Sequence, residues 1–555
     1  MNNHQQKHGL PQSWAEPVLL VAALALFLLT MPAFLYPGDS YMSRAEAEWL
    51  LRSGRWGIPV EQAEVTLRDF IEVPGQYAVH RPDKNDYVSK FGVTYTLLAV
   101  IPLQMVNLLR DAVEFHDPER LTVLIFALYQ SILLLIGLLY LFKIVRRIGA
   151  GPWLAAAFCF LSVFATYNWY YLRSSTHEAL QWPWAMAFFW HLITAIRPDS
   201  RISRGHLSAV MFFLLVLVMC RPVYLVWLPA LWVVVLAHAF QRSINTANAS
   251  HSLRSLLPAI NAALRKLWSV DLLLLFFTSL LLILVMLAVQ AAKFGSPLAT
   301  GYGVWVAGDG VSHDHFSLRY MLQSIPAFFF SLGRSSVWTH YPILVLAIFG
   351  WPFFWRKNRW DAALILLLAV SLLLVIACFS QWHAIFGAGP RYLILILPLL
   401  SLPAISGIKR IFLWSKCTLR TVTLTALIVA AVLLVALQFN VVLLHPHAIL
   451  DCRQFFSMLQ VENAERYYDG LLHPGLHTRD LMRFRSSGKG YPPMDKLRRR
   501  GAQEDGHVLH VAIEVLDGMT LPNLLLYNPP HWETFGQIIR REMHVIPFEV
   551  QNSFH

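Results

Sequence analysis

Apolar blocks of about 20 residues recur along the whole chain, separated by short basic segments. That length is what a helix needs to cross the hydrocarbon core of a bilayer. Clear blocks lie at 17–36, 121–142, 152–172, 179–196, 206–240, 271–292, 340–355, 362–380, 391–408 and 421–443, and a further one, 91–109, is ambiguous. Composition agrees: of 555 residues, 56% are hydrophobic and 14% charged, with a mean hydropathy of +0.49. An ordinary soluble chain carries about 25% charge. A soluble globular protein, a disordered chain and a coiled coil are thereby excluded. The sequence predicts an all-α polytopic membrane protein.

The net charge of +12 does not point to nucleic acid, because the Lys and Arg gather in short loops between apolar blocks. Such clusters mark cytoplasmic loops. Cys159, Cys220 and Cys378 lie inside apolar blocks, whereas Cys417 and Cys452 lie outside them; no pair has metal-ligand spacing and no disulfide framework can be read. The run from Pro17 to Tyr36 is long for the apolar part of a signal peptide, so it is expected to be an uncleaved first span.

The basic clusters set the topology. They are Lys143/Arg146/Arg147, Arg197/Arg201/Arg204, Arg242/Arg254/Arg265/Lys266, Arg356/Lys357/Arg359 and Lys409/Arg410/Lys416/Arg420. If 91–109 spans, alternate clusters fall on the wrong side. If 91–109 lies at the interface and 206–240 is two short spans broken at Cys220-Arg221-Pro222, all five face the cytoplasm. This gives eleven spans, with the N-terminus inside and the C-terminus outside. Residues 1–443 form the membrane-embedded domain, with a large first outer loop at 37–120, and 444–555 form a small mixed α/β tail on the outer side.

The outer stretches then carry the ionisable groups. Tyr36-Pro37-Gly38-Asp39-Ser40 ends the first span, and an amphipathic surface helix with Met42, Ala45, Trp49 and Leu50 on one face follows. Asp39 suits both a helix N-cap and a carboxylate reaching a substrate at the lipid boundary. Lys90, in Asp86-Tyr87-Val88-Ser89-Lys90-Phe91-Gly92, suits a lipid phosphate or a snorkelling anchor. Arg173, His177 and Glu178 fall within one turn between two spans, where ionisable groups usually face a polar cavity. Arg221 sits at the break of the long block and Arg391 opens the span after Gly387-Ala388-Gly389-Pro390. His191 reads as structural. His313-Asp314-His315 has ligand chemistry without diagnostic spacing, and reads as a solvated loop. Carboxylates (Asp39, Glu178) and cations (Lys90, Arg221, Arg391) on one face suit transfer of a group from a phosphate ester.

The order of motifs resembles the type C superfamily of membrane glycosyltransferases (the GT-C fold), which use polyprenyl-phosphate sugars. It is similar in look to bacterial protein mannosyltransferases and to the aminoarabinose transferase of lipid A. The matching pieces are "YPGDSYMSRAEAEWLLRSG" at 36–54, "YVSKFGVTYTLLAVIPL" at 87–103, "RSSTHEALQWPWAMAFFW" at 173–190, "CRPVYLVWLPALWV" at 220–233, "KFGSPLATGYG" at 293–303 and "GAGPRYLILILPLL" at 387–400. The resemblance covers about residues 17–410. It implies Asp39 as the acceptor-activating carboxylate, Glu178 as a second acid, and Tyr87 and Lys90 as holders of the donor phosphate; the residues themselves add Arg391, suited to phosphate or to snorkelling, as a further phosphate holder, with Arg173, His177 and Arg221 in support. Two departures are plain. The first motif has one acid, not an acidic pair, which weakens the case for a metal, and Phe91-Gly92 stands where the aminoarabinose enzymes have Pro-Pro.

The sequence therefore leads to an expectation: a glycosyltransferase of the bacterial inner membrane acting at the periplasmic face. It would move a sugar from a polyprenyl-phosphate donor to a glycan, lipid or protein acceptor. No cofactor is assigned, and a divalent metal stays open. Two alternatives stand beside it. One is an O-antigen ligase or polymerase, relying on arginines such as Arg173 and Arg319. The other is a transporter or flippase for a lipid-linked substrate, which requires broken midplane helices and two related halves.

Overall fold

A computed structural model describes residues 12–30, 39–62, 78–112, 118–173, 176–196, 202–246, 270–301, 316–330, 336–379, 391–414 and 417–444. Over the described residues each apolar block folds mainly as helix. The elements in chain order are α1 (Ala15–Thr30), α2 (Asp39–Ser53), β1 (Ile58–Pro59), β2 (Ala78–Arg81), β3 (Asp86–Ser89), α3 (Val93–Ala112), α4 (Pro118–Arg147), α5 (Pro152–Phe164), α6 (Asn168–Leu172) and α7 (His177–Ala195). After them come α8 (Arg204–Cys220), α9 (Trp227–Thr246), α10 (Val270–Phe294), α11 (Leu318–Phe329), α12 (Val337–His340), α13 (Ile343–Lys357), α14 (Arg359–Ala377), α15 (Leu397–Leu400), α16 (Pro403–Trp414) and α17 (Cys417–Leu444).

By length and composition, five described stretches can cross a membrane: Val93–Arg110, Leu121–Arg147, Pro222–Gln241, Val270–Phe294 and Arg359–Ala377. Shorter apolar helices are Ala15–Thr30, Pro152–Phe164, Arg204–Cys220 and Thr421–Ala436. The chain is thus a multi-pass membrane protein. Val93–Arg110 is itself long enough to span, so its interfacial placement rests on the charge argument alone.

Helix boundaries follow the local chemistry. The long block breaks where expected: Arg221 is extended (φ −145°, ψ 122°), a 3-10 turn runs Pro222–Val226, and α9 follows. Two other blocks are less regular than the sequence predicts. Residues 152–172 divide into α5 and α6, and 391–408 divide into a 3-10 turn, α15 and part of α16, with Pro398 and Pro403 opening the latter two. Proline fits a helix start because it has no N–H to leave unpaired there.

The core centres on α7, which packs against α4 and α8 and is buried nearly all round, with Trp182, Phe188 and Phe189 inside. A helix apolar on every face belongs in a bundle interior. The outward stripes are apolar too, as lipid contact requires: Phe276, Phe277, Leu280, Leu281 and Leu284 on α10 are exposed.

The bundle has two chemically distinct ends. At one, Lys409 Nζ donates to the Gly149 carbonyl (2.5 Å), with Lys357 beside the same glycine, Arg146 donates to the Ala150 carbonyl (2.8 Å), and Arg204 pairs with Asp271 (2.8 Å). Four of the five basic clusters are represented here. At the other end lie the start of α7, the ends of α8 and α10 and the start of α3.

There α2 packs on other elements of the protein. Met42 and Ala45 pack against Ile58 and Ala78 of the sheet, while Ala47 packs against Ala99 and Leu103 of α3. The sheet is antiparallel in the order β1-β3-β2, with Arg81 opposite Asp86 and His80 opposite Tyr87. The tail 444–555, apart from Leu444 itself, lies outside the described residues, as does His313-Asp314-His315.

Candidate active site

Thr176 starts the site. Its side chain accepts from the Ala179 amide and so caps α7, leaving His177 and Glu178 in the first turn, before the apolar stretch that begins at Ala179. Glu178 is buried and pairs with Arg221 (2.8 Å), which the break after α8 delivers to it, and its Oε1 lies 3.7 Å from Arg391 Nε. Both guanidinium groups stack on Tyr392, at 5.3 Å and 5.1 Å from its ring centre. Burial alone would raise the Glu178 carboxyl, but Arg221 and Arg391 outweigh it and hold it below the ordinary carboxylate range. Glu178 is therefore ionised and committed to two cations.

His177 lies flat on Tyr95 (3.7 Å between ring centres, 7° apart) with Phe91 edge-on at 4.5 Å. Its Nε2 is 3.4 Å from Ser43 Oγ, and its Nδ1 has no hydrogen-bond partner among the described residues. Burial, then Arg221, Arg391, Lys293 and Lys90, push it below the ordinary histidine value. A neutral imidazole beside four cations is the consistent state. Below it Gln181 donates to the Tyr95 hydroxyl and accepts from Tyr224, tying α3, α7 and the 3-10 turn together.

Lys90 follows β3 and is 9% exposed. A cleft lies beside it, lined by Lys90, Phe91, Arg221, Gln290, Lys293 and Thr300 among others, with apolar walls from Val218, Met219 and Val289. Three cations thus share one narrow, mostly apolar recess.

Of the residues expected from sequence, Lys90, His177, Glu178, Arg221 and Arg391 converge. Tyr87 is elsewhere: it packs on the Met42, Ala45, Ile58 and Ala78 cluster, tilted against His80, and is not among the cleft residues. Arg173 donates to the Thr30 carbonyl (2.9 Å) and lies over Tyr170, so it fastens the end of α6 to the end of α1. Asp39 is the first residue of α2, and its side chain lies outside the described residues. Among the described residues no group of three or more His, Cys, Asp or Glu gathers.

Residues not singled out from sequence complete the site. Glu46, 0% exposed, accepts from the Ser89 amide (3.2 Å), Thr96 Oγ1 (2.5 Å) and Lys293 Nζ (3.3 Å). Arg81 grips Asp86 with two bonds (2.6 and 2.5 Å) and donates to the carbonyls of Ala292 and Lys293, the cation-to-helix-end contact that suits a C-terminus. Glu46 has a visible signal: an acid on the same helical stripe as Met42 and Trp49.

No protein-family model matches the chain, and no curated protein matches it. Solved structures do. An archaeal oligosaccharyltransferase, AglB from Archaeoglobus fulgidus, solved with an inhibitory peptide and a dolichol-phosphate, has a TM-score of 0.44 and 11% identity over 83% of this chain and 60% of its own. The apo form from the same organism gives 0.46 with the same identity and coverage. ArnT from Cupriavidus metallidurans bound to undecaprenyl phosphate gives 0.44 and 13% identity over 96% of this chain and 78% of its own. The chain thus spans 60% of the length of the archaeal protein it is similar to.

Proposed function

We propose that the chain is a glycosyltransferase that moves a sugar from a polyprenyl-phosphate donor to an acceptor hydroxyl or amine at the end of the bundle away from the basic loops. The observation that carries this reading is an apolar-walled cleft at that end lined by Lys90, Arg221 and Lys293, with Arg221 paired to Glu178 and Glu178 in turn 3.7 Å from Arg391. A recess lined by both cations and apolar side chains matches a lipid phosphate, whose head group needs charge and whose tail needs hydrocarbon.

In this reading the acceptor oxygen or nitrogen attacks the anomeric carbon and the bond from that carbon to the phosphate oxygen breaks. The electron pair stays on the polyprenyl phosphate, where Lys90 and the arginines stabilise it. The acceptor proton passes to a carboxylate, a role assigned to Asp39. Attack opposite the leaving group inverts the anomeric carbon. Glu178 serves by aligning Arg221 and Arg391, since its oxygen is already engaged by them. Placement of the basic end in the cytoplasm would put the site on the periplasmic side of a bacterial inner membrane.

The test is binding of undecaprenyl phosphate against undecaprenol by the full chain in nanodiscs, read by native mass spectrometry. The phosphate should bind at least about tenfold tighter, a difference of about 1.4 kcal/mol, and Lys90→Ala should erase the difference. Equal binding of the two lipids by the wild type would refute the reading.

A further inference from the structure

The cation at the cleft stands on a segment, Ser89 to Gly92, held from three sides. Glu46 on α2 accepts from the Ser89 amide and pairs with Lys293 at the end of α10. Lys293 in turn donates to the Phe91 carbonyl (2.9 Å). Two glycines set how closely neighbouring backbone approaches. A Cβ on Gly301 would come within 2.0 Å of the Lys90 carbonyl oxygen, and one on Gly92 within 1.9 Å of the Met219 carbonyl oxygen. Both members of the ion pair are buried, with side chains 3% and 0% exposed. Buried pairs are seldom gained for stability alone, because desolvation opposes the attraction. Here the pair joins two elements 247 residues apart, and each partner also bonds the backbone of the same four-residue segment.

We propose that Glu46 and Lys293 are positioning residues for phosphate binding: the pair fixes the backbone of Ser89–Gly92 so that the Lys90 ammonium is presented at the cleft. The inference rests on the proposed donor site. Its mechanical part stands independently of any ligand. Glu46 does not line the cleft, so it acts through the segment rather than on the lipid. Lys293 does line it, and its hydrogen bonds to Glu46 and to the Phe91 carbonyl make it a strut.

Two readouts on the full chain in nanodiscs test this. The first is hydrogen exchange over residues 87–92 without ligand. The second is a binding cycle for undecaprenyl phosphate across wild type, Glu46→Gln, Lys90→Ala and the combination. Because an unpaired buried charge destabilises a fold, the neutral pair Glu46→Gln/Lys293→Met is measured alongside. It keeps no charge to strand. Both Glu46→Gln and the neutral pair should speed exchange at 87–92 while leaving the core of α7 protected. Glu46→Gln, which keeps every cation at the cleft, should weaken binding about tenfold or more, the scale of a displaced binding group, whereas the neutral pair, which also removes a cation lining the cleft, is read by exchange alone. Adding Lys90→Ala to Glu46→Gln should then cost little more than either change alone, since both act through one ammonium. Unchanged exchange at 87–92 in a folded variant, or losses that simply add, overturns the proposal. A wild type that fails to bind the phosphate refutes the transferase reading, and the exchange arm still decides whether the clamp exists.

Discussion

The carboxylate of Glu178 and the guanidinium of Arg221 lie inside the protein with 5% and 10% of their side chains exposed, so each is costly without the other. Arg221→Ala should therefore destabilise the protein by about 3–5 kcal/mol, and Glu178→Gln/Arg221→Met should recover most of that loss. Thermal unfolding in detergent checks it; equal losses in both variants would show that packing, not charge pairing, dominates. His177 adds a pH dependence. Its folded value lies below the ordinary histidine value of about 6.5, so the unfolded chain takes up the proton first. Stability then falls as pH drops below about 6.5 and continues to fall until the folded value is reached. Glu178 works in a lower window. Its folded value is depressed, so its contribution is present above the ordinary glutamate value of about 4.3 and is lost only as pH falls through the folded value. Between pH of about 7 and 5 the wild-type unfolding temperature should decline, and His177→Gln should flatten that decline. An unaltered slope would assign the proton uptake to another group.

At the scale of elements, the strand-to-helix junction from β3 into α3 is the feature most sensitive to volume. Gly92→Ala and Gly301→Ala each drive a methyl into a carbonyl, and overpacking of this kind costs about 1–3 kcal/mol or more. Gly205→Ala, with open space around it near the start of α8, should be neutral or stabilise by up to about 1 kcal/mol through helix propensity. Unfolding midpoints of the three variants check the contrast. The same elements mark what the sequence makes legible. Continuous apolar runs show where each helix lies, and Arg221-Pro222 shows where one stops, because lipid and proline act locally. Glu178 with Arg221 and Arg391 is legible as a common face through charge and topology. The Glu46–Lys293 pair is not, since nothing near Lys293 distinguishes a buried strut from a residue snorkelling at the end of a span. Tyr87 illustrates the opposite case: the motif sets it three residues before Lys90, but Lys90 follows the strand whereas Tyr87 lies within it and packs on the cluster between α2 and the sheet.

For the whole molecule, the separation of a basic end from the end bearing the cleft is the property on which sidedness depends. Lys84, in the turn between β2 and β3, and Lys357, at the end of α13, are both exposed and belong to opposite ends. Lys84→Cys should react with a membrane-impermeant thiol reagent in intact cells, and Lys357→Cys only after permeabilisation. The reverse pattern would put the cleft in the cytoplasm and exclude a periplasmic reaction. Transfer itself is tested most directly by mass spectrometry of envelope glycans and polyprenyl-phosphate sugars. Source cells, a deletion, and the deletion complemented with wild type, Lys90→Ala or Asp39→Asn are compared at matched protein levels. Sugar transfer at this site predicts that the deletion and both variants lack one and the same sugar from the envelope while its polyprenyl-phosphate form accumulates. Full restoration of every species by both variants would contradict it.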